Sequence, residues 1–310
     1  MNNFQQLALI GSTASGKSKL AVELADKMSA NILSLDSLAI YKEIDIASAK
    51  PTIQERNNIP HFGIDVIKPN ETFDVTTFIE LYKRAKEQSI KEHKNLIIVG
   101  GSSFYLKSLL TGISSMPTIS QKSYQETERY LRNIEEAHNL LYIVDPEYMS
   151  QIQPTDHYRV EKMLNLFFET GLTPSKYFTN YPPIPIIESL PIYEIAVERD
   201  VLRKRIEKRT EKMFQDGLIE EVCNLEKKYR RLPNSMNSIG IKEVLTFLDG
   251  RYSKKEMKER IIIHTAQLAK RQKTFNKSQF KNKTALPLDE LSTLLLNTST
   301  EAYSVCSEPC

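Results

Sequence analysis

The sequence predicts an α/β fold: a mostly parallel sheet flanked by helices, interrupted by a helical insertion. Three observations carry this. Short apolar runs alternate with helical spacings through residues 1–115, the pattern of parallel strands joined by crossover helices. The alternation stops after Met116-Pro117 and resumes with an apolar run at Ile192. A glycine-bounded turn, Gly11–Ser18, joins the first apolar run to the first helical spacing.

Each element follows in order. Leu7–Ile10 ends in Gly11 and reads as a buried strand. Lys17–Met28 has helical spacing through Leu20, Leu24 and Met28. Asn31–Leu35 reads as a second strand and Phe62–Ile67 as a third. Asp74 is placed to cap a helix over Val75–Glu92, and Asn95–Val99 is a further strand ending in Gly100-Gly101. Residues 118–190 hold helical stretches. The clearest is Tyr158–Thr170, whose Val160, Met163, Leu164, Phe167 and Phe168 form an apolar stripe before a Gly171 cap. Tyr181-Pro182-Pro183-Ile184-Pro185 reads as a connector, Ile192–Val197 as a strand, and Asp200–Asp216 and Glu256–Phe275 as long basic helices. Leu286–Cys310 lacks clear periodicity. The expected organisation is a core from residues 1–115 and 191–285, an insertion over 116–190 and a peripheral tail over 286–310.

Apolar residues make up 40% of the 310, enough for a substantial core. No uninterrupted apolar stretch approaches the ~18 residues of a membrane span, and MNNFQQLALIG lacks the pattern of a signal peptide. Cys223, Cys306 and Cys310 make neither a metal spacing nor a disulfide framework, which fits a reducing cytoplasm. The net charge of +3 is unevenly spread. Residues 191–285 hold 23 basic against 13 acidic residues, whereas residues 116–190 hold 6 against 10. Such an excess can attract a polyanion, and it is equally the composition of solvated helices laced with i,i+4 ion pairs.

Gly11-Ser12-Thr13-Ala14-Ser15-Gly16-Lys17-Ser18 matches G-x-x-x-x-G-K-[ST] in full, with a strand before it and a helix after it. The glycines let the backbone curl so that N–H groups face phosphate oxygens, and the helix presents its positive end to the anion. Lys17 adds a point charge, and Ser18 can ligate Mg²⁺. The loop therefore predicts a polyphosphate ligand without naming the molecule. ATP or GTP enzymes commonly place an acidic residue at the end of a later strand, but Asn95–Val99 ends in Gly100-Gly101-Ser102-Ser103. Asp36, after the second strand, can face the loop across the carboxyl edge of the sheet as a base or a metal-positioning group. It can equally be a cap or turn residue.

Further blocks narrow the reading. Asp36-Ser37-Leu38-Ala39-Ile40-Tyr41-Lys42-Glu43-Ile44-Asp45-Ile46-Ala47-Ser48-Ala49-Lys50-Pro51, Gly100-Gly101-Ser102-Ser103-Phe104-Tyr105, Gly217–Val222, Ile239-Gly240 and Ala269-Lys270-Arg271-Gln272 follow the loop in order. Together they resemble the tRNA dimethylallyltransferases, also called tRNA isopentenyltransferases, over roughly residues 7–280. Departures from the family pattern are Ser12 for Pro, Ser102 for Thr, Ala47 for Gly, Ala266 for Arg, Phe275 for Trp, and Tyr124 near an Arg of some members. The last three bear on individual tRNA contacts more than on chemistry.

The resemblance implies a P-loop catalytic core that transfers a dimethylallyl group from dimethylallyl diphosphate to the exocyclic amine of the adenine just 3′ of the anticodon. Gly11, Ser12, Thr13, Ala14, Ser15, Gly16, Lys17 and Ser18 would hold the departing diphosphate, with Ser18 on Mg²⁺. Asp36 would accept the amine proton, Ser102 would orient the amine or the diphosphate, and Arg209 would bind the diphosphate. Leu202, Ile206, Arg209 and Met213 share one stripe of their helix, so Arg209 faces inward or snorkels from a partly buried face. Implied tRNA contacts are Asp36, Ser37, Leu38, Ala39, Ser102, Arg159, Lys162, Lys242, Lys270 and Arg271, with the insertion and the basic helices gripping the anticodon stem-loop. A cytoplasmic monomer is expected. The rival readings are a small-molecule P-loop kinase or NTPase and a noncatalytic RNA-binding protein with a vestigial loop.

Overall fold

A computed structural model describes residues 4–304 of the chain. These residues divide into two compact units, one formed by residues up to Lys107 and from Ser189 onward, the other by Ser108–Glu188.

The first unit is built on a six-stranded sheet in the order β3-β2-β4-β1-β5-β6, every pair parallel. The strands are β1 (Gln6–Ile10), β2 (Ala30–Leu35), β3 (His61–Phe62), β4 (Asn95–Gly100), β5 (Ile192–Ala196) and β6 (Thr284–Pro287). Central β1, β2 and β4 are almost wholly buried, as expected of a parallel sheet covered on both faces. Helices α1 (Lys17–Lys27), α2 (Val75–Lys91) and α3 (Ser103–Thr111) follow β1, β3 and β4. Asp74 caps α2 by accepting from the Thr77 N–H at 2.8 Å. The strand order places β4 between β1 and β2, so the loops leaving β1 and β2 diverge around the carboxyl end of β4. That crevice is where ligands bind in such sheets.

The second unit contains α4 (Gln121–Leu131), α5 (Ile134–Val144), α6 (Pro146–Met149), α7 (His157–Thr170) and α8 (Pro174–Asn180). Its core gathers Ala137, Leu141, Met149, Ile152, Val160, Met163 and Leu164. Gly171 ends α7 in the left-handed conformation, φ 68°. The chain then returns to the first unit through α9 (Arg199–Gln215), α10 (Leu218–Tyr229), α11 (Ile241–Leu248), α12 (Lys254–Gln279) and α13 (Leu288–Ser304).

Three sequence expectations need correction. The third strand is only His61–Phe62. Residues beyond it bend back, and Ile67 makes an isolated bridge to Tyr41. The compact helical unit begins at Ser108 rather than at 116. The tail is not peripheral: β6 pairs with β5, and Leu291 and Leu295 of α13 are buried against α1 and the sheet. Leu291 and Leu295 are the buried side chains of α13 among the residues whose burial is described, and two positions leave only a weak periodicity in the sequence. Cys306 and Cys310 lie outside the described residues.

Candidate active site

The turn between β1 and α1 curls as its glycines predict. The Ser15 N–H donates to the Ser12 carbonyl at 3.2 Å, Ala14 takes φ 60°, and Gly16 takes φ 99° as the residue preceding α1. A side chain at Gly16 would be strained in that conformation. Lys17 folds back to donate to the Ser12 carbonyl at 3.0 Å. Burial pulls the Lys17 ammonium down to about 8; neighbouring Asp36 opposes this shift and Arg209 adds to it.

Arg209 comes from the inward face of α9, between buried Ile206 and Met213. Its guanidinium donates to Thr13 Oγ1 at 2.9 Å and to the Ser48 carbonyl at 3.3 Å. One turn earlier, Arg205 donates to the Ser15 carbonyl at 3.0 Å. Two guanidinium groups therefore fasten the loop from one helix. Burial lowers the Arg209 pKa, with Asp36 countering it.

Asp36 stands at the end of β2. Its Oδ1 accepts from the N–H groups of Leu38 and Ala39 at 2.8 and 3.1 Å. The turn reading and the base reading are thus compatible: one oxygen shapes the turn, and the other carries no hydrogen bond within the described chain. Ser102, after β4, accepts from the Ser37 N–H at 3.3 Å and meets the Ser37 hydroxyl at 3.4 Å.

A cavity of about 310 Å³ opens among these groups. The structure brings Thr13, Lys17, Ser18, Asp36, Ser37, Leu38, Ala39, Ser102 and Arg209 onto its walls. Gly11, Ser12, Ala14, Ser15 and Gly16 complete the loop behind them without lining it. The Ser15 hydroxyl is fully buried with no hydrogen-bond partner among the described residues. The remaining sequence candidates lie elsewhere. Arg159 and Lys162 are exposed on α7, Arg159 beside Asp156 at 3.5 Å and Lys162 over the Tyr158 ring. Lys242 is exposed on α11, 3.8 Å from Glu243. Lys270 and Arg271 line a shallow groove along α12 with Thr274 and Phe275.

Gln272, which the sequence placed in a block but gave no role, and Arg205 join the site in the structure. The Gln272 Oε1 accepts from the Thr13 N–H at 2.9 Å. A Cβ at Gly101 would stand 2.4 Å from its Nε2, so a side chain there would displace this amide from its present position. Gly100 serves strand packing instead: a Cβ there would stand 2.4 Å from the Leu35 carbonyl oxygen. The available signal was spacing, because Gln272 falls at i+3 from buried Ala269 and at i−4 from buried Asn276.

Comparison with known proteins follows the same lines. A family model described as IPP transferase matches residues 39–279. The chain is 54% identical over 293 residues to a tRNA dimethylallyltransferase of Sulfurovum sp., covering 94% of this chain and 97% of that one. It is 53% identical to the tRNA dimethylallyltransferase of Sulfurimonas denitrificans, over 94% and 99% of the two chains. Among solved structures, a eukaryotic dimethylallyltransferase acting on tRNA superposes with a TM-score of 0.83 at 26% identity, over 96% of this chain and 77% of that one. The tRNA isopentenylpyrophosphate transferase of Bacillus halodurans gives 0.69 at 26% identity, over 97% and 100%.

Proposed function

The chain belongs to the IPP transferase family as a tRNA dimethylallyltransferase, and from that premise we propose how its site works. The donor is dimethylallyl diphosphate, and the acceptor is the exocyclic amine of the adenine just 3′ of the anticodon. One observation carries the assignment of roles: Thr13, Lys17 and Ser18 of the phosphate loop, Arg209 and Asp36 all line one cavity.

The loop N–H groups, Lys17 and Arg209 bind the diphosphate. As the allylic C–O bond breaks, its electron pair and growing negative charge pass to the diphosphate. Donors that meet the diphosphate oxygens would stabilise this charge more than the ground state. The amine nitrogen forms the new C–N bond, and its proton passes to the unpaired oxygen of Asp36. Ser102, fixed by Ser37, orients the amine. Ser18 and Asp36 supply hydroxyl and carboxylate oxygens to the same cavity, a donor set that suits Mg²⁺ completed by diphosphate oxygens and water. Ser18 would hold the ion, Asp36 would reach it through water, and the ion would neutralise diphosphate charge.

The target base must leave its stack to reach Asp36. Lys270, Arg271 and Lys242 on the basic helices are the proposed RNA phosphate contacts, as are Arg159 and Lys162 on the helical unit. No helix among the described residues is long and apolar enough to cross a membrane. A cytoplasmic monomer completes the proposal. A two-label assay tests it: prenyl-labelled donor should mark tRNA, and γ-labelled ATP should mark nothing. Phosphate transfer from ATP to an acceptor, with unlabelled tRNA, would overturn it.

A further inference from the structure

Outside the cavity, α10 clasps the connection between β2 and β3. The Glu221 carboxylate accepts from three consecutive backbone N–H groups. Its Oε2 takes those of Asp45 and Ile46 at 2.8 and 2.7 Å, and its Oε1 takes that of Ala47 at 2.9 Å. Farther along α10, Lys228 and Tyr229 bind the Glu43 carboxylate at 2.7 and 2.8 Å. Only the first clasp leads inward. The next residue, Ser48, offers the carbonyl that accepts from Arg209, and Arg209 in turn holds Thr13. Glu221 does not line the cavity, whereas Ala47 and Ser48 do.

We propose that Glu221 is a positioning residue of the diphosphate site. It fixes residues 45–47, so that the Ser48 carbonyl meets Arg209 and aims the guanidinium at the anion. The inference rests on the proposed role of Arg209 in diphosphate binding. A carboxylate suits this task because all its lone pairs accept. In Glu221→Gln, one oxygen becomes an NH₂ group, so at least one backbone N–H faces a donor and the connection shifts.

The test is a double-mutant cycle on the affinity for inorganic diphosphate, measured by calorimetry in the full-length protein, with tRNA affinity as the check on folding. Arg209→Ala should weaken diphosphate binding by about tenfold or more, as expected when a charge-assisted hydrogen bond is removed. Glu221→Gln should weaken it several-fold in the otherwise wild-type protein and add nothing in the Arg209→Ala background. Lys228→Ala, which releases the outer clasp, should leave diphosphate affinity unchanged. Unchanged affinity in Glu221→Gln, or an equal loss in both backgrounds, would overturn the positioning role while leaving the Arg209 assignment intact. Unchanged affinity in Arg209→Ala would overturn that assignment and, with it, the inference. Glu221→Gln is nearly isosteric, and its retained tRNA affinity would show that a loss of diphosphate binding is not a failure to fold.

Discussion

At the scale of the residue, Asp36 has two duties that one substitution can separate. Asn keeps an oxygen for the Leu38 and Ala39 N–H groups and loses the proton acceptor. Asp36→Asn should therefore lower the single-turnover prenylation rate by about 10²–10⁴ with tRNA affinity nearly retained. An unchanged rate would remove Asp36 as the base. Lys17 gives a pH dependence whose sign follows from proton counting. In the free site it is uncharged above about pH 8, while a bound anion keeps it protonated. Donor binding should then take up a proton and weaken as pH rises through that region. A titration series from pH 7 to about 9.5 that shows no loss of affinity would contradict this. Asp36, Lys17 and Ser102 were picked out because each sits in a motif with its neighbours. Gln272 fell within the Ala269–Gln272 block but was given no role, and Arg205 was passed over, because nothing local marks either partner: Thr13 stands 259 residues from Gln272 and Ser15 stands 190 from Arg205.

At the scale of the element, the sheet was readable wherever burial on both faces made apolar runs continuous, as in β1, β2 and β4. β3 was read too long and β6 was not read, because both are short edge strands with exposed or half-buried side chains. α13 matters more than its composition suggests. Leu291 is fully buried beside Leu20 and Leu24 of α1, the helix that presents its positive end to the phosphate loop. Leu291→Ala should cost about 2–5 kcal/mol and lower the melting temperature accordingly, measured by thermal denaturation. A melting temperature within a degree of the wild type would return the tail to a peripheral role.

At the scale of the whole molecule, charge and topology divide the work. In the proposed mechanism the carboxyl end of the sheet carries the diphosphate, and the excess of +10 in residues 191–285 would supply a diffuse attraction for nucleic acid. That attraction should appear in salt dependence. tRNA affinity should fall steeply with salt, and Lys270→Ala with Arg271→Ala should reduce the slope of log affinity against log salt by about 1 for each phosphate no longer neutralised. A slope unmoved by both changes would place the RNA elsewhere. The alternation of strands and helices was legible over the first third of the chain. The strand at Ile192 and the long helices over 200–216 and 256–275 were legible too; the pairing of β6 with β5 and the burial of α13 against α1 were not, since they depend on interactions between distant segments.

The central claim is that the phosphate loop holds a leaving diphosphate while an adenine amine is alkylated. It is tested most directly by incubating tRNA with the protein and dimethylallyl diphosphate, then analysing the digested nucleosides by mass. The account predicts an adenosine enlarged by one dimethylallyl group, located next to the anticodon on its 3′ side, and absent with Asp36→Asn at short times. Unmodified adenosine after prolonged incubation with tRNA from a strain lacking the enzyme would contradict it.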